Sequence, residues 1–139
     1  MYLEEGSKMK HALIWSNSGW LGVAWVSFAF GNPLWTLPVA VIVMLSVWYH
    51  TTYSTLALYA DTLFAVALIL VGIWMVFHTP MSNVIFIEAA LAITGSTLFV
   101  SAYYLRKADK WTIYIIAHTP WHFISAGLFG LILYQYSVQ

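Results

Sequence analysis

The chain contains no cysteine, which excludes disulfides and thiolate metal ligands and leaves His, Asp and Glu to hold any metal. It is also poor in charge: 7% of its 139 residues are Asp, Glu, Lys or Arg, against 62% that are hydrophobic. A water-soluble fold of that composition would lack the polar surface needed to cover its core. Five Lys or Arg balance five Asp or Glu to a formal net charge of zero. There is thus no basic field to attract a nucleic acid, and none is expected as a partner. No internal repeat and no low-complexity stretch is found.

What the chain does have is a series of long apolar runs. A helix needs about 20 mostly apolar residues to cross a bilayer, so about five crossings would use roughly 100 residues and leave short loops. The expected fold is all-α: an integral membrane bundle of about five transmembrane helices, forming a single transmembrane domain over residues 1–139 with no soluble appendage. The first span is expected over 12–30, ending at the turn signal of Gly31, Asn32 and Pro33. Ser16, Asn17 and Ser18 make it the least hydrophobic span, and its alternative reading as a secretory signal peptide lacks a persuasive small-residue cleavage site. Further spans are expected over 34–52, 56–77, 84–105 and 111–134. A short uncharged joint separates the second from the third, the turn from His78 to Asn83 with Pro80 ends the third, and Arg106, Lys107, Asp109 and Lys110 close the fourth.

Lys and Arg are retained on the cytoplasmic side during insertion. With five spans, the N-terminus, the joint between spans two and three, and the loop between spans four and five share one face. Lys8 and Lys10 lie in the first of these segments and Arg106, Lys107 and Lys110 in the last, so all five cations fall on one face. This predicts a cytoplasmic N-terminus, and it supports the span count, because an error of one span would scatter the charges. Eight Trp and nine Tyr, many near span ends, suit interfacial belts. So little extramembrane surface is compatible with association into a homo-oligomer.

Ionisable groups are costly in hydrocarbon, so a cluster of them within spans is a functional hypothesis by default. The cluster here is Ser46, His50, Asp61, His118 and His122. Ser46 and His50 are four residues apart, as are His118 and His122, so each pair shares a helix face about 6 Å apart along the axis. Two adjacent imidazoles form a ready chelate, and a third from another helix would complete the three-ligand set of a catalytic zinc site with water in the fourth position. His50 is the candidate third ligand. Topology places His50 near the cytoplasmic end of span two, Asp61 near the cytoplasmic start of span three, and His118 and His122 a few turns into span five, all in one leaflet. Helices packed about 8 to 10 Å apart would let these side chains converge. Taken singly, each has an ordinary use: a His as a helix-to-helix donor, a Ser back-bonded to its own helix. An HxxxH pair recurs by chance, and Pro120 inside it can kink the helix. The combination carries the expectation.

Ser46-Val-Trp-Tyr-His50, Thr52, Asp61 eleven residues after the His, and His118-Thr-Pro-Trp-His122 followed by Phe-Ile-Ser-Ala-Gly together resemble the CREST superfamily of membrane hydrolases. That group contains alkaline ceramidases, progestin and adipoQ receptors and haemolysin III-like proteins. The S-x-x-x-H, D and H-x-x-x-H elements are its defining set, and the His-to-Asp spacing with Thr52 looks most like the alkaline ceramidases. The match covers spans two, three and five. Members typically have seven spans, so this chain looks like a shortened form. The resemblance implies a zinc ion held by His50, His118 and His122, with Asp61 as general base and proton shuttle. Ser46 would hydrogen-bond a substrate carbonyl or its oxyanion. The implied reaction is hydrolysis, by metal-activated water, of an amide bond in a ceramide-like membrane lipid that enters laterally from the bilayer.

The sequence leaves rival classes open. The same zinc could be a structural clasp in a non-enzymatic receptor or assembly protein, or two His on different spans could ligate a haem iron. A proton-relaying transporter using Asp61 and Glu88 is a further reading, whereas a retinal pump is excluded because no span carries a Lys for a Schiff base. Glu88, about a turn inside span four and far from the His cluster, is read as structural, snorkelling or bonding a neighbouring helix. His78 is read as interfacial and His11 as solvated. Asn17, Asn83 and Asp109 belong to no defensible constellation, and Gly72, Gly95, Gly127 and Gly130 are expected to permit close helix packing.

Overall fold

In a computed structural model the described residues are 11–30, 32–79, 84–108 and 110–138, and no strand occurs among them. Lys8, Lys10, Gly31, Pro80, Asn83 and Asp109 lie outside the described residues. After a helical segment at 11–16 the elements are α1 (Gly19–Ala29), α2 (Thr36–Thr52, entered through a 3-10 turn at Pro33–Trp35), α3 (Thr55–His78), α4 (Ile85–Lys107) and α5 (Trp111–Ser137). Four of them, α2 with its entry turn, α3, α4 and α5, are long and apolar enough to cross a membrane. They coincide with the last four expected spans.

The first expected span takes a different form. Its helix breaks at Asn17 and Ser18, and α1 has 11 residues, roughly 16 Å of helix at 1.5 Å per residue. That is about half of a hydrocarbon core of roughly 30 Å. The polar Ser16, Asn17 and Ser18, which lower the hydropathy of the run, are the residues at which the backbone leaves the helix.

Local signals explain the other boundaries. Pro33 opens the turn into α2, where its missing N–H costs nothing. Tyr53 then stops α2 with a φ of 50°, a left-handed conformation more usual for glycine. Ser54 caps α3 by accepting a 3.1 Å hydrogen bond from Ala57 N. This joint reverses the chain and makes α2 and α3 antiparallel neighbours.

Helix α5 is the axis of the bundle, and pairs along it set the register of the others. Gly19 abuts Phe123 and Ala126 while Gly130 meets Val23, so α1 runs in the same direction as α5. Trp35 packs on Phe129 and His50 on His118, so α2 runs opposite. Gly72 lies against Phe129 and Ile132 and Trp74 against Tyr136, so α3 is again parallel to α5. Ala102 clusters with Tyr114, Gly95 meets Trp121, and Glu88 accepts a hydrogen bond from Gln135 Nε2, so α4 is antiparallel. The outside of the bundle is apolar: Leu34, Phe77 and Phe86 are 83%, 82% and 81% exposed, a surface that suits lipid and not water.

Helix α4 packs extensively on α5 and makes no comparable contact with α3. The gap between α3 and α4 is a cleft of about 540 Å³, floored by α5 residues such as Leu128 and Phe129.

Candidate metal centre

His50 lies in the last turn of α2 with its side chain buried in the bundle, where it meets the two histidines that one turn of α5 aligns. One ligand nitrogen from each of His50, His118 and His122 can be chosen so that all lie within 4.8 Å of one another. The ring centroids are 5.5 Å apart for His50 and His118, 5.6 Å for His50 and His122, and 4.8 Å for His118 and His122. Tetrahedral zinc with Zn–N near 2.0–2.1 Å places its nitrogens roughly 3.3 Å apart, so small side-chain rotations close the set. α5 runs through Pro120 as one uninterrupted helix, which keeps its two histidines in register.

The hydrogen-bond inventory argues in the same direction. His50 Nδ1 and Nε2, His118 Nδ1 and His122 Nε2 are buried without a partner, as is Ser46 Oγ. A buried polar atom left unpaired costs about 1–3 kcal/mol, and four such ring nitrogens at one point call for an explanation. The helix-to-helix donor reading of the histidines and the back-bonded reading of Ser46 would each have supplied partners to these atoms. Lone pairs converging on a cation would account for one nitrogen of each ring. The donor set, three neutral nitrogen ligands and no thiolate, fits zinc with an open fourth position. It does not fit a haem, because rings in edge-to-face contact at these distances leave no slot between any two of them for a macrocycle.

The other expected site residues lie on the adjoining cleft. Ser46, one turn before His50, lines the cleft together with His122, and Asp61 lines it from α3. Tyr114 stacks on His118 at 5.0 Å, and Tyr53 reaches His50 and Trp111 edge-on at 6.5 and 6.3 Å. Arg106 stands over the Tyr49 ring at 5.3 Å, which brings the cationic end of α4 to the same end of the bundle as the histidines. At the other end Glu88 is hydrogen-bonded to Gln135, the structural role expected of it, and His78 donates from Nδ1 to Trp74 O at 2.8 Å while stacking on Trp74.

Two features were missed from the sequence. Asn17, passed over above, lines the cleft beside Ser46 and His122 with its Oδ1 buried and unpaired. Gly127, expected to allow close packing, has nothing within 4 Å of a Cβ placed on it.

No family model matches the chain, and no curated protein or solved structure is detectably similar to it.

Proposed function

We propose that the chain is a member of the CREST superfamily, a zinc-dependent hydrolase working within the membrane on the amide bond of a ceramide-like lipid. The observation that carries this reading is the meeting of three imidazoles from α2 and α5, their nitrogens within 4.8 Å, at the end of a lipid-sized cleft that also holds Ser46 and Asp61. His50, His118 and His122 would hold the zinc. Bound there, zinc supplies a Lewis acid and a water whose pKa falls from 15.7 toward about 7.

The chain's own groups do the rest. Asp61 accepts a proton from the attacking water and returns it to the departing amine nitrogen, which balances the hydrolysis. Ser46 Oγ, unpaired in the resting site, donates to the carbonyl oxygen as negative charge develops on it. The cleft runs along α3 from Asp61 to Phe77, 16 residues by number, or roughly 24 Å of helix. It is walled by Leu68, Ile73, Leu91 and Ile132, which suits a single acyl chain entering sideways from the bilayer. The adjacent Arg106, Lys107 and Lys110 support placing the reacting end at the cytoplasmic face.

Metal analysis of the purified protein tests this reading directly. About one zinc per chain is expected, falling to background in His118→Ala. Folded protein that carries no zinc after purification in zinc-containing buffer would overturn the proposal.

A further inference from the structure

The break between the 11–16 segment and α1 has a consequence for what the cleft can recognise. In an unbroken helix the carbonyl of Leu13 would accept from the backbone N–H of Asn17. Here that N–H turns to Ile14 O at 3.2 Å. Leu13 O is served by side chains instead, Ser16 Oγ at 2.7 Å and Asn17 Nδ2 at 3.1 Å. A carbonyl only accepts, so the atom of the Asn17 amide facing Leu13 must be nitrogen, and this fixes the orientation of the group. The oxygen is therefore the free end. Asn17 is 3% exposed, its Oδ1 has no hydrogen-bond partner, and the residue lines the cleft.

Its height in the bundle follows from register. Leu13 packs with Tyr114, and Gly19 abuts Phe123 and Ala126. Asn17, between them on a segment parallel to α5, is level with the turn from His118 to His122. A buried acceptor thus stands on the wall of the cleft that His122 also lines, at the level of the paired imidazoles of α5.

We propose that Asn17 selects the substrate: its Oδ1 accepts the N–H of a bound secondary N-acyl amide, so that the cleft prefers an amide lipid over the matching ester. The inference rests on reading the cleft as a lipid-amide site. An ester has no N–H and sets an oxygen lone pair against the Asn17 oxygen, which leaves that oxygen desolvated and unpaired. An N-methyl amide has the same defect.

The test reads binding and not turnover. Full-length protein carrying Asp61→Asn, to keep the lipid intact, is titrated by tryptophan fluorescence, since Trp20 and Trp121 line the cleft. The probes are a long-chain N-acyl ethanolamine, its N-methyl derivative and the matching ethylene glycol ester. With Asn17 present, the secondary amide should bind about ten-fold or more tightly than the other two. Asn17→Leu should weaken the amide alone and equalise the three, whereas Asn17→Asp, whose buried carboxyl in its protonated form donates to Leu13 O and keeps a carbonyl acceptor, should preserve the preference. No preference with Asn17 in place, no binding of any probe, or a preference that survives Asn17→Leu would overturn the inference. So would equal weakening of all three probes, the mark of a merely structural residue. If Asn17→Leu does not fold, the three-probe comparison and Asn17→Asp still decide. Unmutated protein that prefers the amide but never cleaves it would sink the hydrolase and leave this inference standing. Cleavage of amide and ester alike, with no binding preference, would do the reverse.

Discussion

Asp61 is the residue that separates an enzyme from a zinc clasp. It is on a different helix from all three imidazoles and partly exposed, on the wall of the cleft, so neither the ligand set nor the α2–α5 packing depends on it. Asp61→Asn keeps the size of the side chain and removes the proton acceptor. Zinc content should be unchanged and lipid-amide hydrolysis should fall by about 10²- to 10⁴-fold, both read on one preparation. A variant that retained full hydrolysis would remove Asp61 from the reaction, and a zinc protein inactive before the substitution would leave only the clasp. The imidazole cluster was legible in the sequence because its geometry is simple: a four-residue spacing sets His118 beside His122, and helix polarity sets His50 in the same leaflet. Asn17 was not legible, because its importance arises from a lost backbone donor at Leu13, and no spacing rule encodes where a helix will break.

At the scale of elements, boundaries were readable where the chemistry is local, as at Pro33 and at Ser54. Packing was not, because a glycine's neighbours come from another helix. Gly95 and Gly127 look alike in the sequence, yet a Cβ on Gly95 would stand 3.1 Å from the Trp121 ring and 3.3 Å from Ile124, whereas Gly127 faces open space. Gly95 is therefore where α4 approaches α5 closely, and this contact holds one wall of the cleft to its floor. Gly95→Leu should overpack it at a cost of about 1–3 kcal/mol, seen as a lower thermal midpoint in detergent. Gly127→Leu, made in parallel, should leave the midpoint nearly unchanged. Equal losses in the two variants would show that the α4–α5 approach at Gly95 is not tight. Tyr53 is the other element-scale surprise. It holds a left-handed φ usually left to glycine, and its ring spans from His50 to Trp111, so a side chain is kept at a strained joint where it flanks the site.

For the whole molecule the decisive quantity is direction. Alternating helix polarity around α5 brings His50, His118 and the cations Arg106, Lys107 and Lys110 to one end, and leaves Glu88, Gln135 and His78 at the other. The ends of α3 and α4 are accordingly on opposite faces: His78 closes α3 at one, Lys107 closes α4 at the other, and both are exposed. Because cationic ends are retained in the cytoplasm, Lys107 should be inside and His78 outside. The absence of cysteine makes this measurable without removing any native thiol. His78→Cys should react with a membrane-impermeant maleimide on intact cells, and Lys107→Cys only after permeabilisation. Neither position contributes to the imidazole cluster, so zinc content should survive both changes and serve as the check on folding. The opposite labelling pattern would turn the bundle over and move the reacting end of the cleft to the outer leaflet. Labelling of both positions on intact cells would be incompatible with a helix hairpin that crosses the bilayer at all.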